Sequence, residues 1–110
     1  MQALPPLRGV RVLDLGQYIS GPVTGVLLAE MGADVIKIEP PEGDPFRTWE
    51  EGLSATFVAF NRGKRSVVLD LKSDVDKQHL FELVKTADVL IENFRPGVTK
   101  RLGIDYGSLN

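Results

Sequence analysis

The sequence predicts an α/β fold built on a Rossmann-like parallel sheet, and three features carry that expectation. Two stretches of the 110-residue chain read strand–helix–strand. The segments read as strands are short and rich in branched residues, as strands buried on both faces are. Glycines and helix-starting residues stand where strands pass into helices.

Taken in order, Val10–Leu15 (VRVLDL) reads as a buried strand. Ser20 or Gly21 then caps a helix whose early Pro22 suits the first turn, where a missing N–H costs nothing. Val23, Val26, Leu27 and Met31 recur at helical spacing, and Gly32 is a natural left-handed stop. Asp34–Glu39 (DVIKIE) closes the first unit, with strands expected to be parallel and the crossover right-handed. Pro40–Asn61 differs in kind: prolines, glycines and acids dominate it, and a connection of that length is functional or mobile. Within it Ser54–Asn61, with Phe57 and Phe60, reads as a short helix.

Ser66–Leu71 (SVVLDL) is the third expected strand. Ser73 with Asp76 resembles a capping box, opening a helix from about Asp74 to Thr86 whose buried stripe is Leu80, Leu83, Val84 and Ala87. Asp88–Glu92 (DVLIE) is the fourth strand, Val98–Leu102 a short helical turn stopped by Gly103, and "DYGSLN" the start of another helix. Doubly wound sheets carry roughly five or six strands, so four and an unfinished helix suggest the first piece of a longer enzyme.

Composition narrows the functional classes. Hydrophobic residues make up 43% and charged residues 25%, ordinary for a soluble globular chain. A formal net charge of -2 argues against a general nucleic-acid binder. The absence of cysteine excludes disulfides, thiolate metal sites and cysteine nucleophiles, and no metal site is expected. No apolar run approaches the ~18 residues of a membrane span, and "MQALPPLRG" lacks a secretory pattern, so cytoplasmic residence is the expectation.

Ligands of open α/β sheets bind at the carboxyl ends of the strands. That rule selects Gly16–Gly21, Glu39–Pro41, Asp70–Lys72 and Glu92–Gly97, with Arg101 in reach of the same edge. Lys72, Arg95, the Asn93 amide and the Phe94 ring there suit a ligand with phosphates and a planar base. Neither standard phosphate loop is present. Gly16 and Gly21 have Walker spacing, but Pro22 and Val23 stand where lysine and a hydroxyl belong, and no G-x-G-x-x-G occurs. Those glycines serve either an anion or a tight turn. Glu39 sits near where a ribose-binding acid would fall, although strand-terminal acids are common. "RGKR", Arg62–Arg65, reads either as a phosphate grip or as a solvated charge cluster. Asp14 and Asp70 read as acids fixing loop backbone. His79, the sole histidine, reads as a surface or boundary residue, and the loop acids Glu50 and Glu51 have no positional argument for acid–base work.

Four longer stretches sharpen this picture: "PLRGVRVLDLG", "SGPVTGVLLAEMGADVIKIEPPEGDPFR", "FNRGKRSVVLDLK" and "ADVLIENFRPGVTKRLGIDY". Together, nearly end to end and in order, they resemble the family III CoA-transferases (the CaiB/BaiF family), which also includes α-methylacyl-CoA racemases. The resemblance implies that residues 1–110 are the N-terminal CoA-binding portion of a chain of roughly four hundred residues that forms an interlocked homodimer. It implies coenzyme A or acyl-CoA as a substrate rather than a tightly bound cofactor, and a carboxylic acid as acceptor. The family's aspartate, which carries the acyl and CoA intermediates, would lie beyond Asn110, so no catalytic residue is expected in this chain. Family contacts to CoA fall on Ile19 and Ser20, on Leu69, Asp70, Leu71 and Lys72, on Asn93, Phe94 and Arg95, and on Arg101. Pro40 stands where formyl-CoA transferase has an arginine, which removes an ionic contact expected at the second strand, and Ile19 stands where it has a glutamine near the acyl group, which argues against formyl-CoA/oxalate exchange. "GDPFR" reads more like the transferases than the racemases. An acyl-CoA racemase segment and a non-catalytic CoA-binding module are the alternatives.

Overall fold

The computed structural model describes residues 3–49, 51 and 54–110. Strands β1 (Arg11–Asp14), β2 (Asp34–Glu39), β3 (Arg65–Val68) and β4 (Val89–Ile91) form one parallel sheet in the order β3-β2-β1-β4. The helices are α1 (Ser20–Glu30), α2 (Ala55–Asn61), α3 (Asp74–Val84), α4 (Val98–Leu102) and α5 (Tyr106–Leu109), and a 3-10 turn covers Pro45–Thr48. The chain steps outward from β1 to β3 and then returns to place β4 on the other side of β1. Strand order therefore reverses between β1 and β4, the crevice at which doubly wound sheets receive ligands.

Period-2 alternation divides the sheet into two faces. Leu13, Leu15, Ile36, Ile38 and Leu69 pack with Leu80 of α3 and with Ile104. Burying a leucine such as Leu80 contributes about 2 kcal/mol. On the opposite face Val12, Ala33 and Val35 pack against Leu28 and Ala29. Continuing along that second face toward the carboxyl ends, Asp14, Lys37 and Glu39 are buried as well. Pairing of Asp14 with Lys37 in the β1–β2 register sets an acid beside a base.

Several local expectations need correction. Ile19, not Ser20 or Gly21, is the N-cap of α1, and no side chain caps that end. The buried face of α1 is Gly21, Pro22, Gly25 and Val26, while Leu27 and Met31 are exposed. Two glycines on that face let the helix lie close over charged residues of the sheet, so its larger side chains point away. Asp70 and Leu71 leave the third strand for a turn closed by Ser73 N–H donating to the Asp70 carbonyl. At its other end β3 begins at Arg65, one residue before the expected Ser66. The remaining strand ends agree within a residue, and ladder-like bonds continue past them, as from Leu15 N–H to the Ile91 carbonyl at 2.8 Å. Gly32 does end α1, at φ 100°. Among the described residues no helix is long and apolar enough to cross a membrane.

Candidate functional site

A groove of about 280 Å³ lies along the carboxyl ends of the strands. Leu15 and Gln17 enter it from the first turn, Pro40–Glu42 from the second, Leu69–Lys72 from the third, and Phe94 from the fourth; Leu102 of α4 completes it. Its walls combine apolar side chains with a few polar groups, the usual make-up of a small-molecule site. A second hollow beside edge strand β4 is larger, about 520 Å³, but the charged residues lining it, Asp88, Glu92 and Asp105, are all acidic. The first also carries acids, Glu39, Glu42 and Asp70, but of the two it alone has a cation, Lys72, in its lining.

The turn from β1 to α1 is fixed from below and from the side. Asp14, fully buried, accepts from the Gly16 N–H at 2.8 Å and from Lys64 Nζ at 2.6 Å. Lys64 Nζ also donates to the carbonyls of Pro22 and Phe60 and to Asn61 Oδ1, at 3.0, 3.1 and 2.9 Å. Burial pushes the Lys64 ammonium below its ordinary pKa, with Asp14 opposing that shift. From the side, Asn93 Oδ1 accepts from Gln17 N–H while Asn93 Nδ2 donates to the Gln17 carbonyl, each at 2.8 Å, and to Ser20 Oγ. The glycines follow from this crowding. A Cβ on Gly16 would stand 2.7 Å from Gly21 Cα, and one on Gly25 only 2.6 Å from Asp14 Oδ2. The close approach of turn, helix and ion pair thus accounts for Gly16, Gly21 and Gly25.

Three buried or half-buried contacts tie the long connection to the sheet edge. Lys37 Nζ lies 2.8 Å from Asp44 Oδ2, an ionic contact without hydrogen-bond alignment at that oxygen, and 3.4 Å from the Gly16 carbonyl, to which it donates. Arg47 donates two bonds to Glu39, at 2.7 and 2.8 Å, and lies over the Phe57 ring at 3.9 Å. The Asp44 N–H and the Ser66 hydroxyl also donate to Glu39. Burial alone would raise the Glu39 pKa, but the Arg47 pair, helped by Ser66 and Asp44, brings it down to about 2. Asp44 also accepts from Phe46 N–H and so starts the 3-10 turn, while Phe46 is buried against Tyr18, Trp49 and Phe60. The "GDPFR" stretch is therefore a self-capped turn latched to β2.

The groove gathers five of the expected contact residues: Leu69, Asp70, Leu71, Lys72 and Phe94. Asp70 Oδ1 accepts from the Lys72 N–H, so its carboxylate fixes loop backbone, as Asp14 does. Ile19 and Ser20 are exposed on the turn beyond the groove lining, and Asn93 staples that turn. Arg95 and Arg101 are exposed and outside the lining; they and Lys72 have no ion-pair partner among the described residues. The charge cluster reading of "RGKR" needs correction at one position, since the Lys64 side chain is 1% exposed, while Arg62 and Arg65 pair with Glu30 and Asp34 at the surface. Glu39 is an anchor for Arg47. His79 is exposed, 3.8 Å from Asp76. Glu50 lies outside the described residues, and Glu51 is exposed. Among the described residues no cluster of histidine and acids could hold a metal.

Sequence reasoning passed over Lys37, Asp44 and Gln17. Lys37 carries the clearest signal: in DVIKIE it shares a face with Val35 and Glu39, and a strand covered on both faces must find a partner for it.

These features define a doubly wound α/β protein with a groove along the carboxyl edge of its sheet. The sequence profile of CoA-transferase family III matches residues 7–110. A succinate–glutarate CoA-transferase of Agrobacterium fabrum is 48% identical over 96% of this chain and 29% of its own length. An acetyl-CoA:oxalate CoA-transferase of Acetobacter aceti is 46% identical over 94% of this chain and 28% of its own. Among solved structures, Rv3272 of Mycobacterium tuberculosis superposes with a TM-score of 0.92 at 42% identity, over 98% of this chain and 31% of that one. A CaiB/BaiF family protein from Brucella suis gives 0.90 at 45% identity, over 94% and 30%. The chain belongs to CoA-transferase family III and spans about 30% of the length of these relatives.

Proposed function

We propose that this chain is the N-terminal, CoA-holding portion of an enzyme that moves CoA from an acyl-CoA donor to a carboxylic acid acceptor. In that reading transfer passes through an enzyme aspartyl intermediate, a form of nucleophilic catalysis, and the aspartate lies outside these residues. The observation that carries it is the carboxyl-edge groove, where Leu69–Lys72 and Phe94 converge in a chain of this family. Phe94 offers a ring face to the base, and Lys72, without an ion-pair partner among the described residues, an ammonium to phosphate. Arg95 and Arg101, exposed and next in sequence to the lining residues Phe94 and Leu102, extend the reading toward a long anionic ligand. Ile19 and Ser20 stand at the β1–α1 turn, the position for the thioester end. The names of relatives that act on succinate, glutarate, oxalate and mesaconate support a carboxylic acid acceptor. Homodimer formation and cytoplasmic residence belong to the same reading.

The test is calorimetric titration of the chain with CoA, with NAD and ATP as controls and circular dichroism to verify folding. Saturable CoA binding is expected, weakened roughly tenfold each in Lys72→Ala and Arg101→Ala, the loss for a charged hydrogen bond to phosphate. A folded chain that binds NAD and ignores CoA overturns the reading.

A further inference from the structure

We infer that Asp14, Lys64 and Lys37 are positioning residues: buried beneath the Gly16–Ser20 turn, they hold the conformation in which that turn meets its ligand. The inference rests on the CoA-holding reading only for what the ligand is.

Tyr18, inside this turn, has φ 63°, a left-handed value unusual for a bulky side chain, and half of its side chain faces solvent. Such a conformation persists only where its surroundings over-determine it. Here they do. The N–H of Gly16 is held by Asp14 and its carbonyl receives Lys37 Nζ. Both backbone groups of Gln17 are held by Asn93. The Tyr18 ring then packs edge-on against the buried Phe46 at 5.6 Å between centroids. Asn93 comes from the β4 end, Lys37 from β2, and Lys64 from the α2–β3 connection, so elements far apart in sequence converge on one turn.

The charges beneath the turn exceed what a structural support needs. A strand-to-helix turn can be carried by apolar packing, and buried ion pairs are often replaceable by apolar residues without loss of stability. The Lys64 and Asp14 side chains are 1% and 0% exposed, and those of Lys37 and Asp44 are 2% and 1% exposed. What the charges add is direction: Lys37 and Asp14 address the two backbone groups of Gly16 that decide how the following residues turn. Gln17 lines the groove, and Ile19 and Ser20 stand beside it. A turn that wandered would bind only in the fraction of molecules correctly folded there, and affinity would fall in proportion.

The experiment combines amide exchange by NMR with CoA titration, on the wild-type chain and on the double variant Asp14→Leu/Lys64→Met, which removes the acceptor of the Gly16 N–H along with both charges. The double variant removes both charges together, because Lys64→Met alone would leave Asp14 buried and uncompensated. In the wild type, the Gly16 amide should exchange as slowly as that of Leu13 in β1. In the double variant, which also leaves the Pro22 and Phe60 carbonyls without their Lys64 donor and so melts at a lower temperature, the Leu13 amide should stay protected while Gly16 and Gln17 amides exchange at least about tenfold faster and CoA affinity falls about tenfold. Rapid Gly16 exchange in the folded wild type overturns the inference, whether or not the variant folds. So does a folded variant whose Gly16 exchange and CoA affinity match the wild type. Protected Gly16 amides released in the variant, in a chain that never binds CoA, support the positioning role and count against CoA as the ligand.

Discussion

At the scale of single residues, the glycines and buried charges are two sides of one packing problem. Gly25 leaves room for the Asp14 carboxylate and for Lys64 Cε, which would lie 2.6 and 2.9 Å from an added Cβ. Gly25→Ala is therefore expected to lose about 1–3 kcal/mol, the usual range for overpacking, seen as a lower urea midpoint with unchanged slope. Glu39 gives a pH-dependent counterpart. Its pKa falls from 4.5 to about 2 on folding, so its stabilisation is complete above about pH 4.5 and is lost as pH drops through 2. Between pH 6 and pH 2, the wild type should lose on the order of 3 kcal/mol more than Glu39→Gln does. Denaturant titrations of both proteins across that interval check the difference. Asp34 shifts in the same direction: burial raises it and bonds from Arg65 and Arg11 outweigh that, but its exposure leaves it screened by solvent.

At the scale of elements, the Pro40–Asn61 connection is irregular and yet held in place. Its length points to a functional or mobile segment; Pro40–Glu42 line the groove, and Glu39–Arg47, Lys37–Asp44 and the buried Phe46 fasten its first half to the sheet edge. Its second half is α2, opened by Ser54, whose buried hydroxyl accepts from Phe57 N–H at 3.1 Å. Ser54→Ala should cost about 1 kcal/mol by removing that cap, read from the thermal midpoint. Helix α3 begins the same way, with Ser73 accepting from Asp76 N–H, so the local signal seen there in sequence describes a real cap.

At the scale of the whole molecule, β3 and β4 are the sheet edges among the described residues, and each pairs on one side only. Val68 on β3 is 59% exposed. Unpaired edges with apolar side chains invite pairing with another chain. The chain is expected to self-associate with rising concentration, and Val68→Lys should reduce that association without lowering the melting temperature. Sedimentation velocity over a range of concentrations reads both proteins directly.

Much of the fold was legible because it follows from local rules. Branched strands, capped helices and stop glycines set the order of elements, and the carboxyl-end rule located the edge where Lys72 and Phe94 line the groove. The quoted stretches were sufficient to recognise the family. Tertiary structure alone decided what lies beneath that edge. Lys64 reads in sequence as one cation among the surface charges of "RGKR", yet it inserts under α1 and meets Asp14, 50 residues earlier. The Asn93 amide reads in sequence as a ligand group, and only packing shows that it also staples Gln17, 76 residues earlier. Periodicity reports which face a residue occupies; which opposite charge waits on that face depends on how distant segments cross, and that is settled only when the chain has packed.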